Sequence, residues 1–226
     1  MGNGVIKYIR YISKCVLNLI YSTEEKCILC GKNLEEGKRL CINCIRNIKV
    51  CNNVVKLTHE DYIFNCYSSV YYSGNVKELI LKLKYKNDFM AGEAFINYMM
   101  DTIDIYHIKF DIITYVPSSK EALKERGYNQ GEYLAKLVAE KTNKKVVKVL
   151  EKSKKTKDQI GLTKNQRWEN LKNSFKCIDI NKIQGKKILL VDDVLTTGAT
   201  AFYCSKEMIL NGAKDVSILT VAKSTL

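Results

Sequence analysis

No run of roughly 18 apolar residues occurs anywhere in this chain, so the sequence contains no membrane-spanning helix. A secretory leader is not expected either. Val5, Ile6, Ile9, Ile12, Val16 and Leu17 fall near helical spacing, but Lys7, Arg10 and Lys14 interrupt any apolar core. Gly2 does not create a myristoylation signal, because Ile6 stands where Ser or Thr is needed. The expectation is a soluble cytoplasmic protein with an amphipathic first helix and no stable membrane insertion. A helix lying on a membrane surface is the alternative. There is one proline, and no internal repeat or low-complexity linker occurs. A Gly-x4-Gly-Lys-Ser/Thr loop is absent too: Gly31 and Gly37 have the wrong spacing and precede Lys38-Arg39.

Arginine is scarce, with 5 against 32 lysines, and the net charge is +13. The excess is uneven. Residues 120–190 carry 19 basic and 8 acidic side chains, a net +11. A basic block of this kind suits polyphosphate or nucleic acid. The alternative is a global lysine bias with much of the block a solvated face. Because bidentate phosphate recognition favours arginine, Arg126 and Arg167 are stronger candidates here than the lysines.

The most informative stretch runs from Lys187 to Thr200. Ile188 to Val191 reads as a buried strand. Asp192 and Asp193 follow, then Val194 and Leu195, then the small residues Thr196, Thr197, Gly198, Ala199 and Thr200, and then a helix through Met208, Ile209 and Leu210. A strand, a small-residue turn and a helix N-terminus make an anion site. The Thr hydroxyls add hydrogen bonds, and Gly198 lets the backbone approach closely. The acidic pair would repel that anion, but suits ribose hydroxyls or a bound cation beside it. Together they describe a cradle for a phosphorylated sugar. The segment resembles the PRPP-binding motif of type I phosphoribosyltransferases. A Walker B strand or an unliganded strand–turn–helix is the competing reading.

Nine cysteines are many for a cytosolic chain. Four of them, Cys27-x2-Cys30 and Cys41-x2-Cys44, have the spacing of two metal knuckles. Gly31 follows the first pair, as knuckle turns prefer. With four thiolates and no open position, the expected ion is a structural Zn2+. Reduced structural cysteines are the alternative. Cys51 reads as a spare, and Cys15, Cys66, Cys177 and Cys204 as small apolar residues.

Between the motifs, Ser73-Gly74 marks a turn before a helix with Val76, Leu79, Ile80 and Leu83 on one face. Asp111 to Val116 reads as a strand that Pro117 stops, and Lys145 to Leu150 as another. Residues 151 to 176 are polar and poorly periodic, suited to a lid or binding loop. Val216 to Val221 completes the strands. Alternating strands and helices predict an α/β fold, a mainly parallel sheet with flanking helices, plus a small N-terminal zinc-ribbon-like module. The expected domains are 1–60 and 61–226.

Read together, the chain resembles the ComF family of ComFC-like competence proteins. The resemblance rests on the four cysteines; on Tyr72, Gly74 and Lys82-x-Lys84-Tyr85; on Val116-Pro117; on Arg126-Gly127-Tyr128-Asn129-Gln130; on Lys154, Thr156, Gln159, Leu162, Arg167, Asn170 and Phe175; and on Val191 to Thr200. It implies a type I phosphoribosyltransferase-like domain, a PRPP ligand with Mg2+, and a link to DNA uptake. Asp192, Asp193 and Arg126 become the catalytic candidates for a transferase whose acceptor is unknown. Thr196 to Thr200 would hold the 5′-phosphate. Arg126, Arg167, Lys154, Lys155 and Lys157 would face pyrophosphate or nucleic acid. Competence-machinery proteins are expected partners. The competing reading is a non-catalytic scaffold that binds single-stranded DNA, with stacking on Tyr or Trp168. A lone Trp is more often a core anchor.

Overall fold

The structure is a computed structural model that describes residues 26–153 and 164–224, with the side chains of Lys164, Asn165 and Arg167 left aside. The expected first helix and the candidates Lys154, Lys155 and Lys157 lie outside the described residues.

The described chain runs α1 (Ile42–Arg46), β1 (Val55–His59), β2 (Tyr62–Tyr71), α2 (Gly74–Tyr85), α3 (Phe89–Glu93), α4 (Ile96–Ile105) and β3 (Ile112–Tyr115). It continues α5 (Lys120–Arg126), α6 (Gln130–Thr142), β4 (Lys145–Val146), β5 (Leu150–Lys152), α7 (Lys164–Leu171), β6 (Phe175–Cys177), β7 (Lys187–Leu195), α8 (Ala199–Leu210) and β8 (Asp215–Lys223). One six-stranded sheet has the order β1-β2-β8-β7-β3-β4. Only its β1–β2 pair is antiparallel. The expected mainly parallel sheet with flanking helices is what the chain forms.

β7 lies between β3 and β8, and its pleat organises both layers of the core. Leu189 and Val191 pack with Leu134, Val138, Phe95 and Leu79. Ile188 and Leu190, pointing the other way, pack with Phe202, Met208 and Leu150. This is why the segment reads as an unbroken apolar run: both faces of the strand are covered. On α2 the predicted stripe, Val76, Leu79, Ile80 and Leu83, is buried in full.

Two elements differ from expectation. The strand foreseen at Lys145–Leu150 divides. Lys145–Val146 pairs with β3, while Leu150–Lys152 pairs with β6 in a separate two-stranded sheet. Val149 and Leu150 are buried against the Ile188 side of the core, which draws the chain off the main sheet. The polar stretch after residue 151 is not wholly loop, since α7 and β6 fall within it. Trp168 on α7 packs 4.4 Å from His59 and 5.2 Å from Phe202, ring centre to ring centre. It packs α7 against β1 and α8.

No helix among the described residues is long and apolar enough to cross a membrane.

Candidate functional site

β7 does not stop at the acidic pair. It carries Asp192 and Val194 in ladder with Thr220 and Ala222 of β8, and ends at Leu195. The carboxylates are therefore held by sheet, not by a loop. Asp193 is 8% exposed. Lys84, near the end of α2, reaches it with Nζ 2.9 Å from Asp193 Oδ2. The Asp193 N–H donates to Asp192 Oδ1 at 2.9 Å. Burial and the neighbouring Asp193 charge push the Asp192 carboxyl up to about 7, while that N–H and Lys84 oppose the shift. Burial disfavours the Lys84 ammonium, but Asp193 and Asp192 outweigh it and hold its pKa above the usual lysine value. Lys84 is the functional residue that pattern reading missed as a site residue. The sequence offered it only within the Lys82-x-Lys84-Tyr85 run, and only the fold aims it at Asp193.

Thr196 and Thr197 turn the chain, Gly198 caps α8 with φ +81°, and the helix starts at Ala199. The turn is thus shorter than the five residues expected. Ala199 and Thr200 already belong to the first turn of α8, and Thr200 borders the same space as the acidic pair. Thr197 Oγ1 accepts weakly from Ala199 N at 3.5 Å. A Cβ on Gly198 would lie 2.5 Å from Leu57 Cδ2. The close approach that requires glycine is therefore to β1.

This loop opens into a cleft of about 430 Å³ with an adjoining lobe of about 200 Å³, both bordered by Lys84, Asp192, Asp193, Thr196 and Thr200. The far wall carries Arg126 and Gln130. Arg126 Nη1 donates to Gln130 Oε1 at 3.3 Å, Nη2 lies 3.4 Å from Tyr85 Oη, and the guanidinium sits 5.0 Å from the Tyr85 ring centre. Arg126 Nε and Gln130 Nε2 are buried donors with no partner among the described residues. The rest of the Arg-Gly-Tyr-Asn-Gln run builds the wall. The Tyr128 hydroxyl donates to Leu83 O, and Asn129 Nδ2 donates to Val116 O at 2.9 Å while its Oδ1 caps α6. Arg167 lies on α7, its side chain outside the description.

The four predicted cysteines meet in space. Their sulfurs all lie within 4.8 Å of one another, with Cys30 Sγ and Cys41 Sγ 3.5 Å apart. Tetrahedral Zn–S bonds of about 2.3 Å place sulfurs roughly 3.8 Å apart, so the donor set fits a metal ion. The first knuckle closes with Gly31 N donating to Cys27 O at 2.8 Å, and Gly31 holds φ +73°. Burial works against a Cys27 thiolate, but the N–H groups of Cys30 and Cys41 outweigh it and hold its pKa at about 6. Burial and the neighbouring sulfurs push Cys44 up. Cys51 lies outside the cluster, its thiol raised to about 11 by burial. The module is tied to α2: the Lys82 ammonium donates to Ile28 O, and Asn75 Nδ2 donates to Cys44 O at 2.9 Å.

A mainly parallel sheet whose central strand delivers two carboxylates to a Thr-Thr-Gly turn and a helix N-terminus is an α/β architecture with its candidate site at the carboxyl ends of the strands. No protein-family model matches the chain. Its relatives nevertheless bear out the resemblance to the ComF family over most of its length. It is 25% identical over 205 residues to competence protein F of Haemophilus influenzae, covering 88% of this chain and 84% of that protein. It is also 25% identical over 213 residues to competence protein ComFC of Bacillus subtilis, covering 93% and 82%. Among solved structures, adenine phosphoribosyltransferase from Thermoanaerobacter pseudethanolicus aligns with a TM-score of 0.42 at 14% identity, covering 75% of this chain and 83% of that one.

Proposed function

We propose that this chain is a ComF-type protein linked to DNA uptake, and that its cleft binds the phosphoribosyl group of PRPP. The observation that carries the reading is the acidic pair held by β7 beside the N-terminus of α8, both bordering one cleft. A phosphate fits the helix end, and ribose hydroxyls fit the carboxylates.

Each residue then has a role. Thr196, Thr197, Gly198, Ala199 and Thr200 hold the 5′-phosphate through N–H and hydroxyl donors. Asp192 and Asp193 accept from the ribose hydroxyls. In a transferase they would also stabilise positive charge developing on the sugar as pyrophosphate leaves. Arg126 and Gln130 face the opposite end of the cleft, where their unpartnered donors suit pyrophosphate oxygens. Mg2+ bound with PRPP would neutralise the pyrophosphate. The acceptor stays unassigned. A Zn2+ ion held by Cys27, Cys30, Cys41 and Cys44 would be structural, since four thiolates leave it no open position.

Calorimetry with ribose 5-phosphate and PRPP tests the reading. Both should bind, and Thr197→Ala should weaken both by roughly tenfold, the cost of one hydrogen bond to a charged group. A Thr197→Ala loss confined to PRPP would place the 5′-phosphate elsewhere.

A further inference from the structure

Lys223 closes β8 and is 8% exposed. Its ladder partner is Leu195, the last residue before the Thr196–Thr197 turn. The ammonium donates to Asn53 Oδ1 at 2.5 Å and lies 5.0 Å from the centre of the Tyr71 ring. Neither partner carries a negative charge. Among the described residues no carboxylate forms an ion pair with it. Cys51 is near enough to feel Lys223, but burial dominates and its thiol, raised to about 11, is neutral at pH 7. A buried cation without a counter-ion is costly. Its three donors are also more than one amide oxygen can occupy.

Lys223 lines a cavity of about 280 Å³ together with Asn53, Tyr71, Thr196 and Thr197 and the apolar Val55, Leu57 and Leu195. Thr196 borders this cavity and the sugar-phosphate lobe alike, so the two spaces lie on either side of one turn. We propose that the Lys223 cavity is a second anion site, built to take a phosphate group distinct from the one at the α8 N-terminus. Lys223 supplies the charge. The phosphate has two chemical sources: the 5′ end of a nucleic-acid strand, or a free phosphate ester. The PRPP reading assigns Lys223 no role, so either can fail without the other.

Two variants of the full chain test this in phosphate titrations followed by calorimetry and thermal melting. Lys223→Met removes the cation. Asn53→Asp keeps the lysine and places a carboxylate against it, which fills the site from within. Inorganic phosphate should bind the wild type at the Lys223 cavity in addition to the cleft, so that its titration shows two sites per chain. Both variants should weaken that binding by roughly tenfold or more. Asn53→Asp should also melt higher than wild type without ligand, so the proposal stays testable if Lys223→Met folds poorly. Oligodeoxynucleotides with a 5′-phosphate or a 5′-hydroxyl separate the sources. Tighter binding of the phosphorylated strand, lost in Asn53→Asp, assigns the site to nucleic-acid ends, and equal binding assigns it to free phosphate esters. Phosphate affinity unchanged in both variants would overturn the proposal and leave Lys223 as packing alone.

Discussion

Four thiols within 4.8 Å of one another crowd the N-terminal module, and two adjacent carboxylates crowd the end of β7. Both places concentrate groups that repel once ionised. At the carboxylates the protein supplies its own cation, Lys84, 2.9 Å from Asp193. At the thiols it supplies none among the chief influences. Burial, backbone N–H groups and the other sulfurs set the shifts of Cys27, Cys41 and Cys44. The difference separates two kinds of site. The cysteine cluster is a donor set that fits an ion from outside. The cleft has an internal counter-ion. One helix serves both: α2 sends Lys82 to Ile28 beside the knuckle and Lys84 to the acidic pair.

Removing the metal is the largest way to break the comparison. Thiolate ligation supplies about 10 kcal/mol or more of apparent binding energy in small zinc peptides. Chelation, or Cys30→Ser, should strip the ion and disorder residues around the knuckles, with the sheet largely retained. Elemental analysis and hydrogen exchange check this. Equal exchange protection with and without chelator would show that the module stands without metal.

Lys84→Met should come next. It leaves two carboxylates with no cation, in a site where breaking a fully buried pair costs about 3–5 kcal/mol. Lys84 and Asp193 keep some exposure, so about 3 kcal/mol of destabilisation at pH 8 is the expectation. The loss should shrink below pH 6, where Asp192 takes up a proton. Denaturant melts at the two pH values read it, and a loss independent of pH would contradict the electrostatic account.

Asp192→Asn should act the opposite way. The Asp192 carboxyl is raised from 3.8 to about 7 by burial, then by Asp193. Between about pH 4 and 7 the folded protein holds a proton that the unfolded chain has released. Stability therefore falls as pH rises through that window, and the penalty is complete above it. The variant should be about 2 kcal/mol more stable at pH 8, several degrees in melting temperature, and no different at pH 4.

The smallest effect concerns Gly198→Ala. The left-handed backbone costs a side chain about 1 kcal/mol, and the new Cβ meets Leu57. Adding Leu57→Ala should return the contact part and not the backbone part. A double-mutant cycle in thermal melts tests it, and strict additivity would remove Leu57 from the explanation.

Residues whose role depends on local spacing were legible in the sequence. The knuckles, the apolar β7 run with its acidic pair, the α2 stripe and the Thr-Thr-Gly turn each carry their meaning within about a dozen positions. What was not legible depends on distant contacts. Lys84 meets Asp193 across more than a hundred residues. Lys223 meets Asn53 across an even longer separation. Such pairs leave no periodic trace, and a lysine-rich composition hides them further. β2 was missed because its polar residues, Ser68 and Ser69, are buried by pairing with Thr220 and Thr102, which breaks the apolar signature of a central strand. β5 was misplaced because an apolar run does not say which sheet it joins.

The central claim is that the acidic pair and the α8 N-terminus together hold a phosphoribosyl group. PRPP titration of the wild type and of the Asp192→Asn, Asp193→Asn double variant, with and without Mg2+, tests it most directly. The account predicts saturable binding by the wild type and a loss of roughly tenfold to a hundredfold in the double variant, larger when Mg2+ is present. Equal affinity in the two proteins, or a wild type that binds neither PRPP nor ribose 5-phosphate, would contradict it.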